Sequence, residues 1–301
     1  MNWRRFVPSP GRGWVAWIPT LWLLLLFLIP FLVVAKISLS EAAIAMPPYK
    51  PILTWAEDGL ATLRLQFGNY LFLLDDPLYL SAYGESIQIA GISTLVTLLI
   101  AYPMAYVIAR AEEPRRTALL ILVILPFWTS FLLRVYAWIG ILKTNGILNN
   151  ALMGMGLIDA PLVMLQTDFA VYLGIAYTYL PFMVLPLYAT LSKLDGTLLE
   201  AAEDLGATPW VSFWTVTLPL TLPGMLAGSL LVFVPALGEY VIPALLGGND
   251  TLMIGKVLWN EFFANRDWPI ASAVAICMLL VIVAPLMWLQ RIQVRREEAA
   301  V

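Results

Sequence analysis

The sequence has no histidine and a single cysteine, Cys277, which sits inside an apolar run. Without histidine the commonest zinc ligand and the usual general base are missing. With one cysteine no internal disulfide can form. Charge is also scarce: 12% of the 301 residues are Asp, Glu, Lys or Arg, against ~25% in an ordinary soluble domain. No phosphate-binding loop is present, since Gly255-Lys256 lacks the upstream glycine and the following Ser or Thr that such a loop needs. No low-complexity tract or internal repeat stands out. Together these absences leave little for an enzyme, a metal site, a cofactor site or a nucleic-acid-binding surface.

What is present is apolar length. Hydrophobic residues make up 61% of the chain, and they come in runs rather than at a period of two or seven, which is the pattern of bilayer-spanning helices. Six spans are expected: Trp14–Ala35, Ser86–Ala109, Thr117–Tyr136, Phe169–Leu191, Leu220–Pro243 and Trp268–Leu289. Each is near the ~20 residues that cross a bilayer. The expected class is therefore an all-α integral membrane protein, with tails at 1–13 and 291–301 around a membrane domain at 14–290. The 36–85 segment is the longest connection, and small helices at the membrane surface are expected there. Arg4, Arg5, Arg12, Arg110, Arg115, Arg116, Lys193, Arg291, Arg295 and Arg296 crowd span ends on one side. Lys36, Lys50, Arg64, Lys143, Lys256 and Arg266 are spread over long loops on the other. The crowded side is cytoplasmic, so both termini are expected inside. The outer loops carry more acids than bases, an excess that either gathers cationic solutes or only mirrors the basic inner side.

The most informative stretch is the cytoplasmic loop 192–219 before the fifth span. Thr197 and Glu200 have capping-box spacing at a helix start. Leu198, Ala201, Ala202 and Leu205 then fall on one face, Gly206 is a natural stop, and Thr208-Pro209 restarts a helix expected to end near Pro219. Such a short helix, with alanines at the centre of its apolar face, suits a cleft in another protein. The same pattern also allows it to fold back on its own membrane domain.

Glu200-Ala201-Ala202, Gly206 and Leu218-Pro219 resemble the EAA loop of bacterial ABC importer permeases. Three further segments extend the likeness to the putrescine and spermidine permeases: Leu125-Pro-Phe-Trp-Thr-Ser-Phe-Leu-Leu-Arg134-Val-Tyr-Ala-Trp138, Leu180-Pro-Phe-Met-Val-Leu-Pro186 and Pro235-Ala-Leu-Gly-Glu239-Tyr-Val-Ile-Pro243. The resemblance implies a type I importer permease in the bacterial inner membrane, with Glu200, Ala201, Ala202 and Gly206 in a coupling helix that docks on an ATPase. It further implies a second, different permease chain, an ATPase dimer that binds ATP and magnesium, and a periplasmic polyamine-binding protein. Alternatives are an importer of another organic solute or an ion-coupled secondary transporter.

Glu239 is a carboxylate inside the fifth span, flanked by Pro235, Gly238 and Pro243, where a broken helix is expected. An intramembrane carboxylate is a functional candidate. It is expected either to meet a passing ammonium or to pair with Arg134. Tyr136, Trp138, Tyr177, Tyr179 and Tyr240 offer cation–π faces for the same path, and Asp168 is expected to be interfacial.

Overall fold

The computed structural model describes residues 13–55 and 61–299. In chain order the first elements are α1 (Gly13–Leu23), α2 (Ile29–Ser38), β1 (Leu53–Trp55), β2 (Ala61–Leu63), α3 (Gly68–Asp75), α4 (Pro77–Arg110), α5 (Arg115–Ile124), α6 (Phe131–Leu142) and α7 (Ile147–Gly154). Then follow α8 (Asp168–Leu191), α9 (Thr197–Asp204), α10 (Pro209–Ser212), α11 (Leu218–Leu237), α12 (Val241–Leu246), α13 (Ile254–Trp259) and α14 (Trp268–Ala299). Residues 1–77 with 258–301 form one compact unit and residues 78–257 a second.

In the first unit a π-turn at Leu24–Leu28 joins α1 to α2, giving an apolar helix Trp17–Ser38 long enough to span a membrane. α14 packs on α2 and α3. The side-chain amide of Asn69 donates to the carbonyls of Ser38 and Ser40 at 2.8 and 2.9 Å, holding α3 to the end of α2. The 36–85 connection holds a small antiparallel hairpin, with Thr54 opposite Thr62, as well as one short helix, α3, of the kind expected there. Most of the expected tail 1–13 lies outside the described residues. Through the expected tail at 291–301, α14 continues as far as Ala299.

The second unit is organised on α8 and α11. Gly224 and Gly228 fall one turn apart on α11, and a β-carbon at Gly228 would sit 2.7 Å from the Met183 sulfur. Small residues at this spacing bring two backbones close, the usual seam between helices in lipid. Around the seam Ala101 and Ala105 of α4, Val123 of α5, Leu187 of α8 and Val232 of α11 form one buried cluster. The Tyr102 hydroxyl meets Thr221 Oγ1 at 3.0 Å.

Five described segments are long and apolar enough to cross a membrane: Trp17–Ser38, Pro77–Arg110, Phe131–Gly154 (α6 and α7 with the turn at 143–146 between them), Asp168–Leu191 and Pro209–Leu237, with Trp268–Val283 as a shorter apolar helix. Three boundaries differ from expectation. α4 starts at Pro77 rather than Ser86, because proline at a first helical position needs no N–H and has its φ already set. The expected span Thr117–Tyr136 is interrupted. Pro126 removes a hydrogen bond and crowds the preceding turn, so the chain tightens into a 3₁₀ turn at Leu125–Trp128, becomes extended at Thr129 and restarts as α6. The helix after Pro209 does not stop near Pro219. A π-turn at Phe213–Thr217 absorbs that proline, and the 29 residues Pro209–Leu237 run as one helix.

Candidate functional site

The fifth span breaks where Pro235 and Gly238 foretell it. α11 ends at Leu237, Gly238–Tyr240 are not helical and α12 begins at Val241. The break is held from outside by Gly255, where a β-carbon would lie 2.5 Å from the Gly238 carbonyl oxygen and 2.6 Å from that of Glu239. Only glycine allows this approach.

Glu239 projects from the break and is 8% exposed. The Tyr179 hydroxyl donates to its Oε2 at 2.6 Å, and the backbone N–H groups of Tyr240 and Val241 donate to its Oε1 at 3.2 and 3.0 Å. The carboxylate thus caps the first turn of α12, where N–H groups lack helical partners and negative charge is favoured. All of these donors are neutral. They satisfy hydrogen bonds but leave a whole negative charge inside a spanning segment.

Arg134 does not neutralise it: the expected pair of Arg134 with Glu239 is not formed. The cause is direction. Helical side chains lean toward their helix N-terminus, and the Arg134 guanidinium lies over the rings of Phe127 and Phe131, 5.6 and 5.9 Å from their centroids. A chain of ring contacts runs from one charge to the other: Phe127 meets Phe182 at 5.4 Å, and Phe182 meets Tyr179 at 6.2 Å.

The five aromatic candidates divide. Tyr179 meets Glu239 through its hydroxyl, whereas Tyr240 meets it through its backbone N–H. Trp138 and Tyr177 pack edge to face at 5.4 Å and share a groove with Arg134 instead. Tyr136 is 56% exposed and is brought to neither group. Asp168, expected to be interfacial, accepts from the Thr251 hydroxyl at 2.9 Å, and with Glu85 and Asp250 it lines a cavity of about 250 Å³. Glu85 accepts from the Leu252 N–H at 2.9 Å, and Ser86 Oγ from the Ile254 N–H at 2.7 Å. These bonds pin the segment that carries Gly255. They join positions far apart in sequence, and no local pattern announces them.

The loop 192–219 forms two helices around a tight turn, as expected. Gly206 has φ +83°, a conformation that L side chains resist. The N–H groups of Gly206 and Ala207 return to the carbonyls of Glu203 and Ala202 at 2.8 and 3.0 Å, closing α9. The start of α9 is a correction. No capping box forms between Thr197 and Glu200; instead Asp195 Oδ1 accepts from the Thr197 N–H at 3.0 Å, because Gly196 takes the cap position and moves Thr197 inside the helix. Thr208 does cap α10, accepting from the Val211 N–H at 3.4 Å. The apolar face of α9 does not fold back on the membrane helices: Glu200 and Ala201 are exposed, Ala202 is half-buried and Leu205 is 89% exposed. Sequence reasoning missed Phe213, whose ring lies edge-on to Tyr102 at 5.6 Å and to Tyr106 at 6.3 Å. It wedges the base of the long helix onto α4.

A family described as "Binding-protein-dependent transport system inner membrane component" matches residues 12–298. The chain belongs to this family. The permease is 42% identical over 255 residues to the "Spermidine/putrescine transport system permease protein PotB" of Haemophilus influenzae, covering 85% of this chain and 84% of that one. The Escherichia coli protein of the same name is 42% identical over 229 residues, covering 76% and 83%. A bacterial ABC transporter "involved in the import of the acidic polysaccharide alginate" has the same fold, with a TM-score of 0.67 at 18% identity and coverage of 98% and 99%. The permease is thus a multi-pass inner-membrane transport component of type I importer architecture.

Proposed function

We propose that the permease forms one half of the membrane pathway of an ATP-driven polyamine importer for putrescine, spermidine or both. What carries the substrate class is the 42% identity to a spermidine/putrescine permease across 85% of the chain. The site agrees with it. Glu239 has hydrogen bonds but no counter-charge, and the ring of Tyr179 lies beside it. Three backbone N–H groups crowd Oε1 and the Tyr179 hydroxyl takes one site on Oε2, so Oε2 keeps a lone pair. A passing ammonium could take one of them and supply the missing positive charge.

The remaining parts follow from the same reading. A polyamine-binding protein delivers substrate to the outer face, and a second, different permease chain completes the pathway. An ATPase dimer holding ATP and magnesium receives α9 through Glu200, Ala201, Ala202 and Gly206. Both termini lie in the cytoplasm. No bond is made or broken in this chain.

The test is uptake by proteoliposomes holding the permease, its second permease chain and the ATPase. Labelled putrescine or spermidine is supplied outside on the binding protein, and ATP inside. Uptake of either polyamine that stops without ATP is expected. Uptake indifferent to ATP would favour an ion-coupled carrier, and uptake of another solute alone would overturn the substrate class.

A further inference from the structure

Arg134 is 9% exposed, its Nε is buried with no partner, and its guanidinium makes no hydrogen bond or ion pair among the described residues. Two ring faces are its contacts. A guanidinium carries its charge permanently. In a spanning segment an unpaired charge is strongly unfavourable, and intramembrane arginines are found with partners. The residue borders a groove of about 400 Å³ lined also by Thr129, Leu133, Ala137, Trp138 and Tyr177. Trp138 and Tyr177 bring an indole N–H and a phenol O–H, neither hydrogen-bonded among the described residues. A cation with an indole N–H and a phenol O–H on neighbouring side chains of one groove suits an oxyanion.

This chain does not supply that anion. Glu239 is held by Tyr179 and the start of α12, Asp168 by Thr251, and Glu85 by the Leu252 N–H. In a second copy Glu239 would be just as buried and Asp168 and Glu85 just as bonded. Lipid phosphate fits poorly as well. From Arg134 to Leu142 at the end of α6 is ~12 Å of helix, and arginines that reach headgroups snorkel toward the nearer surface. Arg134 leans the other way, onto Phe131 and Phe127. In that direction the start of α5 at Arg115 is ~20 Å distant.

We infer that the groove seats an aspartate or glutamate borne by a membrane helix of the second permease chain, with Arg134 as its counter-charge. The inference rests on the proposed two-chain pathway. It makes Arg134 a determinant of which chain this permease accepts, since a mispaired chain would leave the guanidinium buried and alone.

The experiment uses the whole importer, co-expressed with an affinity tag on this permease. Arg134→Gln, and the apolar Arg134→Met as a check against misfolding, should each lower recovery of the second permease chain about tenfold per tagged chain. Arg134→Lys should keep most of it. Arg134→Glu should lose it, and arginine at one intramembrane acid of the second chain should restore it. Full co-purification of the Gln and Met variants would overturn the inference. So would failure of every such acid to suppress Arg134→Glu, or suppression by Glu239→Lys instead. Loss of bound anionic phospholipid with intact pairing would assign the groove to lipid. If the wild-type permease recovers no second permease chain, the two-chain reading itself fails, and the variants are not needed to see it.

Discussion

Glu239 has two tasks that pull against each other. Its carboxylate holds the start of α12 through backbone N–H groups, and its uncompensated charge is available to a cation. Glu239→Gln retains a carbonyl oxygen for the N–H groups and removes the charge, so it separates the tasks. Uptake should fall about tenfold or more, because a charged hydrogen bond is worth roughly twice a neutral one. Capture by the binding protein and recovery of the assembled importer should not change. Adding Arg134→Gln should restore nothing, since the two side chains are not paired. Initial uptake rates for the single and double variants check this, and wild-type uptake by Glu239→Gln would remove the residue from the path. Its candidacy was legible in the sequence because a carboxylate beside proline and glycine in an apolar run is conspicuous. Its partner was not. Tyr179 is one of several tyrosines near span ends, and only the fold selects it over Tyr136 or Tyr177.

Among the elements, the loop 192–219 was the easiest to read, because local rules govern it. The stop at Gly206 and the cap at Thr208 follow from short-range chemistry, whereas the exposure of the α9 face, which the local pattern left open, is set by the fold. Its failures are instructive for the same reason. A glycine at the cap position displaced the capping box, and a π-turn carried the helix past Pro219. Proline stops a helix only when the preceding turn cannot widen. Gly206→Leu places a branched side chain at φ +83°, at a cost of ~1–2 kcal/mol in that turn. Membrane levels should be normal, while transport and substrate-stimulated ATPase activity fall together. Gly206→Asn, which tolerates the left-handed region, should retain most of both. Coupled transport at the wild-type rate in Gly206→Leu would show that the turn does not position α9.

At the scale of the whole molecule, sidedness can be tested with single cysteines in a Cys277→Ala background. A cysteine at Glu41 should react with an impermeant thiol reagent added outside, and one at Thr208 only after permeabilisation. The opposite pattern would reverse the proposed orientation. The continuous helix from Pro209 to Leu237 ties this sidedness to mechanism. It is ~43 Å long. Its base follows the Gly206 turn directly and is wedged on α4 by Phe213, and its far end runs into the break at Gly238 and Glu239. Base and tip are therefore parts of one rod. A tilt of ~10° about the Phe213 fulcrum would swing the tip by about 6 Å, more than the width of an ammonium group. A rod transmits rotation as well as tilt. One extra alanine between Gly228 and Val232 would turn everything beyond it by ~100° about the axis. Glu239 would then swing away from Tyr179 while α9 stays in place. Such a permease should still assemble with its ATPase and hydrolyse ATP, and should move no polyamine, an engine running with its shaft keyed out of phase.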